Sequence, residues 1–404
     1  GADFDETIKN LGGDPGNPFV IFPEVKELYQ KRKEELRAYA ADKRAKESKW
    51  KEANPALAAK KQSWFSRELP KIDWQAIEQK SDSATRAASA TVLSVLADEV
   101  ENMVVASADL SNSDKTDGFL KKTKAFSKDD FSGAFLQVGV SEFTMSCLSI
   151  GMSLHGGVIP ACGTFFAFSD YMKPSIRVAA LMETPVIFIW THDAFRVGED
   201  GPTHQPVEHE AQIRLLEKLQ NHSGRNSMLV LRPADVHEAT VAWKMALEND
   251  NSPTGLILSR QNIKDLPSAG SRYQDALNAK KGAYIVEDEE NFDVILLASG
   301  SEVSTLVEGA SLLRADGVKV RVVSVPSEGV FRAQPVEYQE TVLPKGVKKF
   351  GLTAGLPVTL EGLVGADGAV WGLNSFGFSA PYTVLDEKLG YTGQNVYEQV
   401  KKML

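Results

Sequence analysis

The sequence predicts an α/β protein: two three-layer α/β domains with mostly parallel sheets, preceded by a helical linker. Three observations carry this. From Ser83 onward, short apolar runs rich in β-branched residues alternate with helical stretches, a pattern that demands crossover connections and parallel strands covered on both faces. A turn-rich segment with Pro267, Gly270 and Ser271 interrupts that series before a second one begins. The 404 residues, 43% hydrophobic and 25% charged, are enough for roughly two to three domains of ordinary globular composition.

Residues 1 to about 24 are rich in Gly, Pro, Asn and Asp and read as an irregular connection. In residues 25–50, 14 of 26 are charged, while Val25, Leu28, Tyr29, Leu36, Tyr39 and Ala40 recur at helical spacing. Acids are interspersed among the bases, so this is a solvated helix with one narrow apolar face and not a polybasic binding segment. Residues 51–80, with Trp64, Phe65 and Trp74 among polar neighbours, drape over a core, which makes 1–80 the linker. In the first domain, 81–268, strands are expected at 103–106, 135–140, 158–161, 186–190, 228–231 and 255–258, with helices at 87–102, 143–155, 169–182 and 236–248. In the second, 285–404, strands are expected at 294–298, 318–325, 349–353 and 370–373, with helices at 302–315 and 395–403.

A net charge of −9 repels a phosphate backbone or an anionic lipid surface, so neither nucleic acid nor membrane is an expected partner. No apolar stretch approaches the roughly 20 residues of a spanning helix, since the most apolar region, 178–190, carries Glu183 and Pro185. The start, Gly-Ala-Asp-Phe-Asp-Glu-Thr, is acidic and lacks a signal peptide's basic start and apolar core. It also lacks an initiator methionine, as in a processed chain or part of a longer polypeptide. The two cysteines, Cys147 and Cys162, have no zinc-type spacing and read as buried packing residues of a cytoplasmic protein.

The chemistry concentrates in three places. His192, His204 and His209, three of six histidines, fall within 18 residues after an apolar strand ending at Trp190, where open α/β sheets bind ligands. Pro206 lies between His204 and His209, so no shared helical face and no metal site is expected. Loop histidines beside Asp193, Glu199 and Asp200 suit substrate hydroxyls and proton handling near neutral pH. Secondly, Glu142 stands at a strand end just before an apolar helix, where a dry core raises a carboxyl pKa and lets it share a proton with a ligand nitrogen. Thirdly, Phe165, Phe166, Phe168 and Tyr171 are either core or the wall for a flat ring.

These segments together carry a resemblance. Leu-Gln-Val-Gly-Val-Ser-Glu-Phe, His-Gly-Gly-Val-Ile-Pro, Thr-Phe-Phe-Ala-Phe-Ser-Asp-Tyr, Thr-His-Asp, Gly-Glu-Asp-Gly-Pro-Thr-His-Gln-Pro and Leu-Ser-Arg-Gln-Asn resemble transketolases in order and spacing, and Gly300-Ser301-Glu302 and Phe376-Gly377-Phe378-Ser379-Ala380-Pro381 extend the likeness through the C-terminal domain. The resemblance implies an enzyme that uses thiamine diphosphate with magnesium, and transfers a two-carbon ketol group from a ketose phosphate to an aldose phosphate in the pentose phosphate pathway as a homodimer. Glu142 matches the glutamate that bonds the aminopyrimidine nitrogen, which makes it catalytic as well as cofactor-binding. Phe165, Phe168 and Tyr171 match the ring-packing aromatics, and Asp109 an aspartate near the cofactor. Arg86, Ser113, His192 and Arg260 match the donors to the sugar phosphate, where an arginine fork meets phosphate oxygens in pairs. Asp200 matches the reader of a substrate hydroxyl, and His204 a catalytic residue that exchanges a proton during carbon–carbon cleavage.

Four departures stand out. Ser141 replaces the family's arginine before the glutamate, Asn112 and Asp114 replace the proline and asparagine around Ser113, and residues 215–227 are longer than usual. Most consequentially, no Gly-Asp-Gly motif of the diphosphate- and magnesium-binding domain is recognisable, since Gly12-Gly13-Asp14 lies in the linker and Gly365-Ala366-Asp367-Gly368 in the last domain. The chain is therefore expected to be a fragment or one subunit of a split enzyme, with the missing domain supplied in cis or in trans. Alone it is expected to be inactive and to bind thiamine diphosphate weakly or not at all. The alternatives are a subunit of another thiamine-diphosphate enzyme, of the deoxyxylulose-phosphate synthase or 2-oxo acid dehydrogenase β type, and a non-catalytic dimerisation or regulatory subunit.

Overall fold

The computed structural model describes residues 1–404 and divides into two compact units, Gly1–Ser66 and Arg67–Leu404. The first unit is three helices. Ala2–Asn10 is helical where an irregular connection was expected: Phe4, Ile8 and Leu11 recur at helical spacing, with Asp3 and Asp5 in the first turn and Lys9 in the last, as the helix dipole favours. The breakers Gly12, Gly13 and Pro15 act only after it. Pro23–Ala53 begins with proline at its first turn and ends where the Asn54 side chain donates to the Trp50 carbonyl at 3.0 Å. Pro55–Phe65 follows, and Lys61 pairs with Glu47 at 2.9 Å across the helix pair. None of these helices buries a residue.

The second unit holds both sheets. The first is six-stranded and wholly parallel: β1 (Met103–Ser107), β2 (Phe135–Gln137), β3 (Ile159–Phe165), β4 (Ile187–Thr191), β5 (Leu229–Leu231) and β6 (Thr254–Leu258), in the order β2-β1-β3-β4-β6-β5. One face packs on helices Thr85–Glu99 and Val236–Glu248 around Leu93, Leu96 and Trp243, a core that also takes Trp74 and Ile77. The other packs on Glu142–His155 and Lys173–Leu181 around Met145, Ile176 and Trp190. The second sheet comprises β7 (Tyr284–Glu287), β8 (Val294–Ala298), β9 (Val320–Ser324), β10 (Lys348–Leu352) and β11 (Ala369–Trp371), in the order β11-β10-β8-β9-β7, with only β7 antiparallel. Helices Glu302–Ala315 and Gly393–Met403 cover one face and Val358–Val364 the other.

Several expectations need correction. β2 stops at Gln137 and not near 140, because Gly139 turns the chain at φ +68. β3 runs on to Phe165, and the stretch expected to be helical from 169 begins as the 3₁₀ segment Phe166–Met172. Cys162 is buried, and burial pushes its thiol up to about 12. Cys147 is exposed, on the helix face that also presents Phe143 and Leu148. No helix is long and apolar enough to cross a membrane.

Candidate active site

Because the first sheet is all parallel, the carboxyl ends of its strands share one edge. Asp109 and Ser113 follow β1, Glu142 follows β2, Phe165 ends β3, His192 follows β4 and Arg260 follows β6. Arg86 joins them through stitching at the start of its helix. The Ser259 N–H donates to Thr85 Oγ1 at 2.7 Å, the Thr85 N–H to Ser259 Oγ at 3.0 Å, and the Arg86 N–H to the Ser259 carbonyl at 3.4 Å. Arg86 and Arg260 thereby become neighbours, and burial followed by the Arg260 charge holds the Arg86 guanidinium below its usual pKa. Arg86 Nη1 donates to the Ser113 carbonyl at 2.7 Å, which brings Ser113 to the same cluster.

His192 is 3% exposed and stands at φ +62, a left-handed conformation that a residue with a side chain keeps only when its surroundings hold it. Burial, then the charges of Arg86 and Arg260 and the nearby His204, push its pKa down to about 2, so the imidazole is neutral. Its Nδ1 lies 2.9 Å from Thr191 Oγ1. Two arginines beside a neutral imidazole form a site short of one anion.

The aromatic run forms a wall. Phe165 stacks on Phe168 at 5.7 Å, Phe168 leans on Tyr171 at 6.0 Å, and His204 meets Phe168 edge-on at 5.4 Å. Phe165 is buried, Phe168 half-buried and Tyr171 exposed, whereas the adjacent Phe166 belongs to the core. His204 Nδ1 lies 2.8 Å from Thr203 Oγ1, which leaves Nε2 for a ligand. Glu142 is 6% exposed as the first residue of its helix, and Ser141 Oγ donates to the Val138 carbonyl at 2.7 Å, a local bond where an arginine would reach outward. Asp109, at φ +62, and Asp200 are exposed, and neither is tied into the cluster by an ion pair.

Asp170, Glu208 and His209 approach one another closely enough to suggest a metal site. Asp170 lies 3.1 Å from His209 Nε2 while Glu208 lies 3.7 Å from Nδ1, so the two carboxylates address opposite ring nitrogens. Lys173 already meets Asp170 at 2.6 Å as its cation.

Sequence reasoning missed the residues that hold the 192–205 loop. Arg232, at the end of β5, forks onto Asp193 Oδ2 through Nε at 3.1 Å and Nη2 at 2.7 Å. Arg196 bonds Ser301 at 2.9 Å, Glu302 at 2.5 Å and Asp386 at 2.6 Å, all in the second domain. Gln205 donates to the Phe378 carbonyl at 2.9 Å, and Ser379 Oγ to the Glu199 carbonyl at 2.6 Å. An arginine closing an apolar strand was the available signal for Arg232. The 215–227 segment ends the helix His209–Lys218 and turns back through a Gln220–Asn226 bridge, pinned where the Ser223 hydroxyl donates to Glu183 at 2.6 Å.

Residues 81–265 match the family described as "Transketolase, pyrimidine binding domain", and residues 282–392 the "Transketolase-like TK C-terminal domain". Among curated proteins, the chain is 40% identical over 401 residues to the transketolase of Halalkalibacterium halodurans, covering 96% of the chain and 57% of that protein. It is 38% identical over 404 residues to that of Aquifex aeolicus, covering 99% and 57%. The chain thus spans just over half the length of the curated relatives it matches. Among solved structures, transketolase from Leishmania mexicana superposes with a TM-score of 0.88 at 33% identity, over 100% of this chain and 57% of that one. A split-gene transketolase, described as an inactive β4 tetramer, shares the fold with a TM-score of 0.61 at 24% identity, over 80% of this chain and 98% of that one.

Proposed function

The chain belongs to the transketolase family, and from that premise we propose that it forms the pyrimidine-binding side of a thiamine-diphosphate site that transfers a two-carbon ketol unit from a ketose phosphate to an aldose phosphate. The observation that carries the reading is the anion-receptive cluster of Arg86, Arg260 and neutral His192, built against the Phe165 and Phe168 stack on one sheet edge.

The residues present fit one half of the cofactor. Glu142, buried at a helix start, suits a ring nitrogen, and Phe165, Phe168 and Tyr171 give a flat ring an apolar surface. The diphosphate and its magnesium need oxygen donors in near-ideal geometry, and in the cluster of Asp170, Glu208 and His209 the Asp170 carboxylate is already paired with Lys173. Those donors come from another part of the polypeptide or from a partner chain. Thiamine diphosphate, when bound, supplies a nucleophilic carbon and an electron sink.

The chain's own residues do the rest. Glu142 holds or releases a proton at the pyrimidine nitrogen, with Asp109 near the cofactor. Arg86, Arg260, His192 and Ser113 grip the sugar phosphate, Asp200 reads a hydroxyl, and His204 Nε2 exchanges a proton with the reacting hydroxyl. We also propose a homodimer through the Glu142–His155 helix. That helix exposes Phe143, Cys147, Leu148 and Leu154 along one face, beside a mostly apolar cavity of about 700 Å³ that also takes in Val104 and Phe126. Mixing the chain with a separately supplied diphosphate-binding domain, magnesium and thiamine diphosphate should yield ketol transfer from xylulose phosphate. A stable complex without transfer would overturn the catalytic reading in favour of a non-catalytic subunit.

A further inference from the structure

Glu302 is the first residue of the helix Glu302–Ala315, belongs to the second sheet's domain and is fully buried. Its two oxygens serve different arginines of the first domain. Oε1 accepts from Arg196 at 2.5 Å, and Oε2 accepts a short bond from Arg232. Arg232, 1% exposed, points its remaining nitrogens at Asp193, the residue after His192. The backbone is built around this contact as well. The Gly300 N–H donates to the Arg232 carbonyl at 3.1 Å, Arg232 Nη1 donates to the Ser299 carbonyl at 2.8 Å, and the Arg232 N–H donates to Pro326 at 3.0 Å. Gly300 stands at φ +62, and a Cβ there would come within 2.6 Å of the Arg232 guanidinium carbon. Only glycine lets the two domains approach this closely.

A buried ion-pair network is a poor way to gain stability, because desolvating its members offsets most of their attraction and apolar residues of equal volume serve as well. Its position supplies the better reason. Asp193 directly follows His192 and Arg196 lies four residues beyond it, so one carboxylate from the other domain anchors, at two points, the chain that leaves the strained residue. We propose that Glu302 is the positioning residue that holds His192 in its phosphate-binding geometry, acting through Arg232–Asp193 and Arg196. The C-terminal domain is then a brace for the substrate loop. The proposal rests on the phosphate reading of His192, Arg86 and Arg260.

The test uses the full chain, with histidine side chains followed by NMR and inorganic phosphate as probe. In the wild type the His192 signal should not titrate above about pH 5, and phosphate should shift it. Glu302→Gln should bring His192 into a visible titration near neutrality and weaken phosphate roughly tenfold, the scale of coupling through one packed network. Gly300→Ala, which keeps every charge and pushes a methyl onto Arg232, should act in the same direction and serves if Glu302→Gln does not fold. Glu238→Gln is the control. It disturbs the separate interdomain cluster in which Glu238 accepts from Tyr284 at 2.6 Å and Ser324 at 2.8 Å, and should lower the melting temperature while leaving His192 silent. An unchanged His192 signal and phosphate affinity in folded Glu302→Gln or Gly300→Ala would overturn the proposal, as would the same His192 change in Glu238→Gln. If phosphate shifts no histidine even in the wild type, the phosphate reading fails separately, and the titration alone still decides whether Glu302 positions His192.

Discussion

The imidazole of His192 lies against the ring of Phe165, with centroids 3.7 Å apart and planes 31° from parallel. The contact is set by the sheet: Phe165 of β3 pairs in register with Thr191 of β4, and His192 is the next residue. The aromatic wall and the imidazole beside Arg86 and Arg260 are therefore held together by the sheet. In the proposed site, this register sets the spacing between the ring wall and the phosphate grip.

The first prediction follows from the neutral state of His192. Its folded pKa lies near 2 and its ordinary value is 6.5. Between those values the unfolded chain takes up a proton that the folded chain refuses, so the full contribution to stability is present above 6.5 and is lost progressively as pH falls. Lowering pH from about 7 to about 5 should cost the wild type on the order of 1–2 kcal/mol more than His192→Gln, measured by denaturant unfolding. Added phosphate should shrink the difference, since an anion favours the protonated ring. Equal pH slopes in the two proteins would show that His192 is not held neutral.

The second concerns recognition. Arg86→Ala and Arg260→Ala should each weaken a phosphorylated donor by about 2 kcal/mol in the reconstituted enzyme, the scale of a charge-assisted contact. A non-phosphorylated donor such as hydroxypyruvate should lose much less. Equal losses for both donors would remove the arginines from phosphate binding.

The third concerns Glu142. Glu142→Gln should lower turnover by about 100-fold or more, as expected for a lost acid–base group, while the cofactor still binds in the reconstituted complex. Turnover within a factor of about three of wild type would take Glu142 out of the proton transfer.

The fourth uses the two thiols. Cys147 on the exposed helix face should react readily with a thiol reagent in dilute chain and become protected as concentration rises and the Glu142–His155 faces pair. Cys162, buried and pushed up to about 12, should stay inert in the folded protein. Sedimentation as a monomer at tens of micromolar, with Cys147 reactive throughout, would exclude that dimer.

Much of this arrangement was legible in the sequence, for identifiable reasons. Fully buried parallel strands are continuous apolar runs, so 294–298 and the helices at 236–248 and 302–315 are found where their periodicity places them. The short helix Ala2–Asn10 was hidden by the glycines and prolines that follow it, and the antiparallel strand Tyr284–Glu287 by the turn-rich boundary beside it. The placing of Glu142 and His192 after apolar strands was readable from local sequence, whereas Arg86, Ser113, Arg260 and Asp109 were named by the resemblance alone. The pairing of Glu302 and Asp193 through Arg232 was not readable, because it joins residues up to 109 positions apart and depends on how two domains dock, and it turns Asp193 from a neighbour of the substrate histidines into a buried partner of Arg232.

The proposed function gives this chain the pyrimidine side of a thiamine-diphosphate site and not the diphosphate clamp. Calorimetry with magnesium and thiamine diphosphate tests it most directly, on the chain alone and with a diphosphate-binding domain added. Weak or undetectable binding to the chain alone is expected, with tight binding on addition of the domain that is weakened by Phe168→Ala. Low-micromolar binding by the chain alone would contradict it, because a diphosphate site would then lie among these 404 residues.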